Sequence, residues 1–372
     1  MTERLTDLMT GRNFKHNTLR HLIFITVLLL FFLAGCGSSD NASPSSAVSA
    51  TADGFLKVHF IDVGQGDSIL AEADGHFLLI DAGENDQGKT VVSYLKQAGV
   101  HKLDYVIGTH PHSDHIGGLD DVLNAFPAET LILPPKEHTT KTFEDVLDAA
   151  AAQNLKLTKP VPGTSYPLGD AQFTILSPLK DYGDDLNNWS VGIRLVFNDT
   201  SFVMCGDAEE LAETDMVNSG EVLSADVLKS GHHGSSTSSC EAFLKKVSPS
   251  WAVIQCGKDN SYGHPHRETL EKLQKNGIQI LRTDQLGTII ASSDGSSVTW
   301  SSSSGKELSD ASAPADVSSE AAAYVLNSNT KKFHLPDCSS VSQIQDANRE
   351  EFTGTREELI NQGFSPCGQC RP

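Results

Sequence analysis

Positive charge is scarce in this chain: 28 Lys and Arg against 48 Asp and Glu leave a net charge of -20 over 372 residues. A protein that holds nucleic acid tightly through its own surface carries the reverse balance. Any polyanionic substrate must therefore be gripped by bound cations and local donors. Long apolar runs are also missing. Beyond one run at 22–33, no segment is long and apolar enough to cross a bilayer. A hydrophobic content of 38% is still enough to build packed cores, which points to a globular enzyme.

What is present near the start reads as an address. Arg12, Lys15 and Arg20 precede the 22–33 run, which ends in Leu33-Ala34-Gly35-Cys36. This resembles a bacterial lipoprotein signal over 1–35, with cleavage before Cys36 and acylation of its sulfur. A plain signal peptide or a membrane anchor is the alternative. Residues 36–53 then form a lipidated cysteine and a flexible stalk, placing the protein outside the cytoplasm on the membrane. Removing 1–35, with its four basic and two acidic residues, takes the net charge to -22.

Residues 54–301 alternate between strand-like and helix-like patterns. Strands are expected at 55–61, 68–73, 77–81, 103–108, 131–133, 173–176, 191–197, 202–205, 225–230, 251–256, 279–282 and 287–291. Helices are expected at 90–98, 119–126, 142–152, 209–216, 240–246 and 267–276. Two mixed sheets packed face to face, each covered by helices, fit this order. A Ser/Ala/Asp-rich linker follows at 302–319, and 320–372 forms a small module too short to rely on a core alone.

Chemistry concentrates in turns after strands. Thr109-His-Pro-His-Ser-Asp-His-Ile-Gly-Gly118 places three imidazoles and a carboxylate directly after an apolar strand, a donor set suited to zinc, manganese or iron. His110 and His112 can reach one ion, and Asp114 and His115 a second. Asp207 follows the 202–205 strand, where it is either a ligand or a helix cap, and His232-His233 follow the 225–230 strand. In the last module His334, Cys338, Cys367 and Cys370 give a His-x3-Cys and a Cys-x2-Cys pair, a closed structural zinc set, with a Cys367–Cys370 disulfide as the alternative. Cys205 and Cys256 lie within apolar strands and read as small core residues, while Ser235 and Ser236 read as turn residues.

Taken together, Ile61-Asp-Val-Gly-Gln-Gly-Asp-Ser68, Leu79-Ile-Asp-Ala-Gly83, the 110–115 turn, Gly206-Asp207, Gly231-His-His-Gly-Ser235 and His264-Pro-His266 resemble the metallo-β-lactamase superfamily in its ComEC-type competence branch. The resemblance implies a four-layer αββα sandwich and hydrolysis by a metal-activated hydroxide. It assigns His110, His112, Asp114, His115, Asp207 and His233 to two divalent cations, with Asp207 bridging. It also implies catalytic roles for Asp114, which holds the nucleophile, and for His232 and His264, which face the phosphate and leaving group. Asp81 would brace the metal turn rather than bind metal.

One departure is the Asn187-Asn-Trp-Ser190 stretch where many members carry a further histidine; no His occurs between His138 and His232. Manganese is therefore as admissible as zinc in the first site. The terminal module resembles the Ada-type zinc-binding domain, with His334 standing where that family has a methyl-accepting cysteine, so methyl transfer is not expected.

The reading as a whole is a surface-tethered phosphodiesterase, a nuclease acting on extracellular DNA. It needs two divalent cations, one structural zinc and no organic cofactor, and is expected to be a monomer. The alternatives are hydrolysis of another envelope phosphodiester such as teichoic-acid phosphorylcholine, lactone or β-lactam opening, and non-catalytic DNA binding.

Overall fold

The computed structural model describes residues 54–303, 308, 322–355, 358–359, 362–367 and 370. The expected leader, Cys36, the stalk and most of the linker lie outside them. In the first half, β1 (Leu56–Phe60), β2 (Ile69–Ala73) and β3 (His76–Ile80) form an antiparallel meander. β4 (Leu103–Ile107), β5 (Ala128–Ile132) and β6 (Leu157–Thr158) then continue from β3 in parallel. Parallel neighbours need crossovers. These are α1 (Gly88–Gln97), the single turn α2 (Ser113–Ile116) with α3 (Leu119–Ala125), and α4 (Lys141–Ala152).

The second half repeats the plan. β7 (Ser165–Leu168), β8 (Ala171–Ile175), β9 (Ile193–Phe197) and β10 (Thr200–Met204) are antiparallel, and β11 (Val227–Lys229), β12 (Trp251–Ile254) and β13 (Gln279–Arg282) run parallel to β10. Its helices are α5 (Glu210–Asn218), α6 (Glu241–Val247), α7 (Arg267–Lys275) and the short α8 (Thr283–Leu286). β14 (Ile289–Ser293) returns to pair with β1 and turns back into β15 (Val298–Ser302). The sheets have the orders β15-β14-β1-β2-β3-β4-β5-β6 and β13-β12-β11-β10-β9-β8-β7.

Side chains alternate faces along these strands, and the alternation sorts the core into three slabs. Leu78, Ile80, Ile107, Phe202, Met204, Val227 and Val253 fill the space between the sheets. Phe77, Leu79, Val106 and Leu131 face α1, α3 and α4 with Val91, Leu95, Leu119 and Val146. Val203, Leu228, Ala252 and Ile254 face α5, α6 and α7 with Ala212, Met216, Phe243 and Leu273. This is the expected αββα sandwich. Each fully buried Leu, Ile, Val or Phe contributes about 1.5–3 kcal/mol.

Three strands of the sandwich escaped the sequence reading for physical reasons. β7 lies at a sheet edge and contains Pro167, which a central strand would exclude. β6 has two residues and ends the other sheet. β15 is rich in serine but buries Trp300, and it runs to Ser302, with Leu308 packed on the same slab.

The terminal module is built on β16 (Ala322–Asn327), β17 (Lys332–His334), β18 (Arg349–Gly354) and β19 (Ser365–Pro366), in the order β18-β16-β17-β19. Tyr324, Leu326, Phe333, Leu359 and Phe364 make its small core.

Candidate metal centre

Every expected metal-binding side chain of the hydrolase module stands just beyond the C-terminal end of a parallel strand: His110, His112, Asp114 and His115 after β4, Asp207 after β10, and His233 after β11. Ligands of open α/β sheets gather at such ends. Asp207 Oδ2 lies 3.2 Å from His115 Nε2 and 3.4 Å from His233 Nε2, and Asp114 Oδ2 lies 3.3 Å from His233 Nε2. Donors of a tetrahedral ion with bonds of about 2.0–2.1 Å sit roughly 3.3 Å apart, so these four residues fit one cation.

Their hydrogen bonds fix which nitrogens face it. His115 Nδ1 donates to Asp81 Oδ2 at 2.8 Å, and His233 Nδ1 donates to the Gln255 carbonyl at 3.0 Å. In the neutral ring each Nε2 then presents a lone pair; both atoms are buried and without a hydrogen-bond partner, as is Asp207 Oδ1. Orphaned buried atoms are costly unless something satisfies them. A divalent cation beside Asp207 Oδ2 satisfies the two imidazole nitrogens at once.

Asp81 also accepts from Thr109 N at 2.8 Å and Thr109 Oγ1 at 2.7 Å, so it braces the turn. With its proton committed to Asp81, the Thr109 hydroxyl oxygen accepts from His110 Nδ1 at 3.1 Å. His110 Nε2 is thereby turned toward His112 Nδ1, 2.9 Å away. Two imidazole lone pairs so close need a shared proton or cation between them. Behind His110 stands Ser190 Oγ at 3.3 Å, which also accepts from Asp207 N at 3.0 Å; it belongs to the stretch that lacks the additional histidine.

The electrostatics differ between the two groups. Burial alone would lower His115 and His233, but Asp207 and the other carboxylates outweigh it and raise both well above the ordinary imidazole value. Burial, reinforced by His115, holds His110 well below that value. Burial pushes Asp207 up, yet His115 and His233 more than offset it and bring it well below the usual carboxylate range. The carboxylates thus draw positive charge to the centre of the cluster.

Two residues at its base were not among the sequence candidates. Asp67, 2% exposed, pairs with Lys229, 1% exposed, and its Oδ1 lies 3.2 Å from His233 Nδ1. Burial raises Asp67, but Lys229 and His233 bring it down to about 2. Burial lowers Lys229, and Asp67 with Asp207 reverse this so that it ends raised. The signal for Lys229 was a lysine interrupting an apolar strand one residue before its loop. Gly66 allows the Asp67 turn: a Cβ there would lie 2.4 Å from the Asp114 carbonyl oxygen, whose partner is Asp67 N at 3.1 Å.

His232 and His233 both take left-handed backbone, with φ of 48° and 52°, a conformation that costs about 1–2 kcal/mol per residue. The turn sends His233 inward and His232 to the cleft wall. There His232 Nδ1 donates to Glu209 Oε1 at 3.1 Å, and its Nε2 stands 3.7 Å from Asp207 Oδ2. Glu209 is itself the N-cap position immediately before α5; Asp207 makes no cap there.

His264 lines the same cleft of about 260 Å³. Gln65 Oε1 accepts from Gly257 N at 3.1 Å, so Gln65 Nε2 faces His264 Nδ1 at 3.4 Å as a donor and leaves the His264 proton on Nε2. Burial, then His233, brings His264 down to about 3, which makes it a neutral donor. His266 binds outside the cation cluster, accepting from Ser236 N at 2.9 Å, and His138 pairs with Thr140 Oγ1 at 3.0 Å.

In the terminal module the donor atoms of His334, Cys338, Cys367 and Cys370 all lie within 4.8 Å of one another, and His334 Nδ1 is a buried orphan. Cys367 and Cys370 are not joined by a disulfide. Burial, then the crowding of Cys338 and Cys367, pushes the Cys370 thiol up to about 12. Such a set suits a soft cation. Among the described residues no helix is long and apolar enough to cross a membrane.

Residues 61–258 match the Metallo-beta-lactamase superfamily. The chain is 33% identical over 285 residues to ComE operon protein 3 of Bacillus subtilis, covering 72% of this chain and 35% of that protein. It is 32% identical over 230 residues to competence protein ComA of Neisseria gonorrhoeae, covering 61% and 31%, and 30% identical over 238 residues to recombination protein 2 of Haemophilus influenzae, covering 63% and 28%. The chain thus spans about a third of the length of these curated relatives. With the sandwich, the strand-end donors and the match over 61–258 in agreement, the chain belongs to the metallo-β-lactamase superfamily, as a metallo-hydrolase of its competence-protein branch.

Proposed function

We propose that this metallo-hydrolase is a phosphodiesterase, a nuclease that cuts extracellular DNA while held on the membrane through lipidated Cys36. The donor cluster carries the reading: Asp114, His115, Asp207 and His233 bring their donor atoms within 4.8 Å of one another, and the His110 ring lies 4.2 Å from that of His115, beside them. His110, His112 and Asp207 would hold one cation, and Asp114, His115, Asp207 and His233 the other, with zinc and manganese both admissible. Cations there supply Lewis acidity and a nucleophile active at neutral pH, the requirement for splitting a phosphodiester.

The chain's own groups do the rest. Asp114 is partly exposed to the cleft and, although burial raises it, His115 and His233 keep its carboxyl below the usual range, so it is ionised and can hold the attacking water in line as a hydrogen-bond acceptor. His232, oriented by Glu209, faces the cleft with Nε2 and serves the phosphate or the departing oxygen. His264 offers a neutral Nε2–H to a phosphate oxygen. The His334-Cys338-Cys367-Cys370 set holds a structural zinc that staples a module able to touch DNA.

The net charge of -20 favours a second reading in which the substrate is a smaller envelope phosphodiester such as teichoic-acid phosphorylcholine. One assay separates them. Purified protein with Mn²⁺ or Zn²⁺ should nick supercoiled plasmid, and Asp114→Ala should abolish nicking. Hydrolysis of a phosphorylcholine ester without nicking would favour the second reading, and DNA binding without cleavage of either would make the chain a binding protein.

A further inference from the structure

The loop after β12 carries an aromatic residue that hydrolysis leaves unused. Tyr262 lines the metal cleft with 54% of its surface exposed. Its ring lies 5.7 Å from that of His264 at 20°, and His264 lies 6.1 Å from His233 at 28°. Three rings therefore step in near-parallel from the cation cluster to the mouth of the cleft.

The loop is held in this pose from several sides. Asn260 Nδ2 donates to the carbonyls of Gly257 at 2.8 Å and His264 at 2.6 Å, and its Oδ1 accepts from Tyr262 N at 3.2 Å and His264 N at 3.0 Å. His266 Nδ1 accepts from Ser236 N, which leaves Nε2–H to donate to the Tyr262 carbonyl at 3.3 Å. A platform fixed before binding loses little freedom on binding. Stacking also suits an acidic protein, because a π-face attracts a base without needing a basic groove.

We propose that Tyr262, stacked on His264 at the end of this row of rings, is a subsite for an unstacked nucleobase beside the phosphate being cleaved. The occupant is a base from a single-stranded or frayed segment, since a base inside a duplex has both faces covered. The contact is tolerant of sequence, as every base has a π-face. It rests on the phosphodiesterase reading, but its test does not require turnover.

Calorimetric titration of the full chain in Mn²⁺ should show thymidine 3′,5′-bisphosphate binding about 5- to 100-fold more tightly than the abasic deoxyribose 3′,5′-bisphosphate. Tyr262→Ala should erase that preference without weakening the abasic probe, and Tyr262→Phe should keep it. Equal affinities in the wild type, or a preference that survives Tyr262→Ala, would overturn the subsite. So would Tyr262-dependent binding of phosphorylcholine with no preference for thymidine, which would mark a quaternary-ammonium site instead. Base-dependent binding by a protein that fails to nick plasmid would leave the subsite standing and remove the nuclease reading.

Discussion

The two groups of imidazoles in the cleft stand on different supports. His115 and His233 are braced from behind by Asp81 and the Gln255 carbonyl, and both face carboxylates at hydrogen-bonding to ion-pairing range. His110 and His112 face each other, with hydroxyls of Thr109 and Ser190 behind His110. Carboxylate count, more than histidine count, decides where positive charge is favoured: one pair is pushed up in pKa and His110 is pushed down. The His115–His233 side should therefore hold its cation more firmly.

The sharpest way to break this contrast is to remove one imidazole from each side. His233→Ala should lower hydrolytic turnover by about 10³-fold or more, because a Lewis-acidic cation is worth several kcal/mol. His112→Ala should cost less and be partly recovered by excess Mn²⁺. Turnover at several metal concentrations, with bound metal counted by elemental analysis, checks both, and equal losses would abolish the distinction.

Next in size is the ion pair beneath the firmer side. Asp67→Asn leaves Lys229 buried beside a neutral group and should destabilise the fold by about 3–5 kcal/mol in denaturant titration. Asp67 has its carboxyl lowered from 3.8 to about 2 in the folded state, so its contribution is complete above pH 3.8 and disappears as pH falls toward 2. The variant should show a flatter stability profile through that window; an unchanged acid limb would remove Asp67 from the account. Smallest is Asp81→Asn, which keeps the shape but weakens the acceptor behind His115. Metal affinity should fall about 10- to 100-fold, as measured by chelator competition.

The strand-end histidines and Asp207 were readable in the sequence because each lay in a glycine-containing turn directly after an apolar run. So were the layers, because the apolar residues of β3, β4 and β10 alternate between two covered faces. Asp67 looked like one more polar residue in the Gly64-Gln-Gly-Asp turn, since its function depends on Lys229, 162 residues later, and no local pattern reports that pairing. Gln255 was hidden in the same way: its side chain donates to the Ile61 and Ser68 carbonyls at 3.1 and 2.9 Å while its backbone holds His233. β7 was masked by Pro167, a penalty that applies inside a sheet and not at its edge.

Lys229 has a use beyond the charge it balances. Its amine, 1% exposed beneath the candidate metal ligands, is out of reach of an acylating reagent while the sandwich stays shut. The pace at which it is acylated therefore clocks how often the floor of the cleft breathes open, and gives a chemical stopwatch for that motion at a single atom.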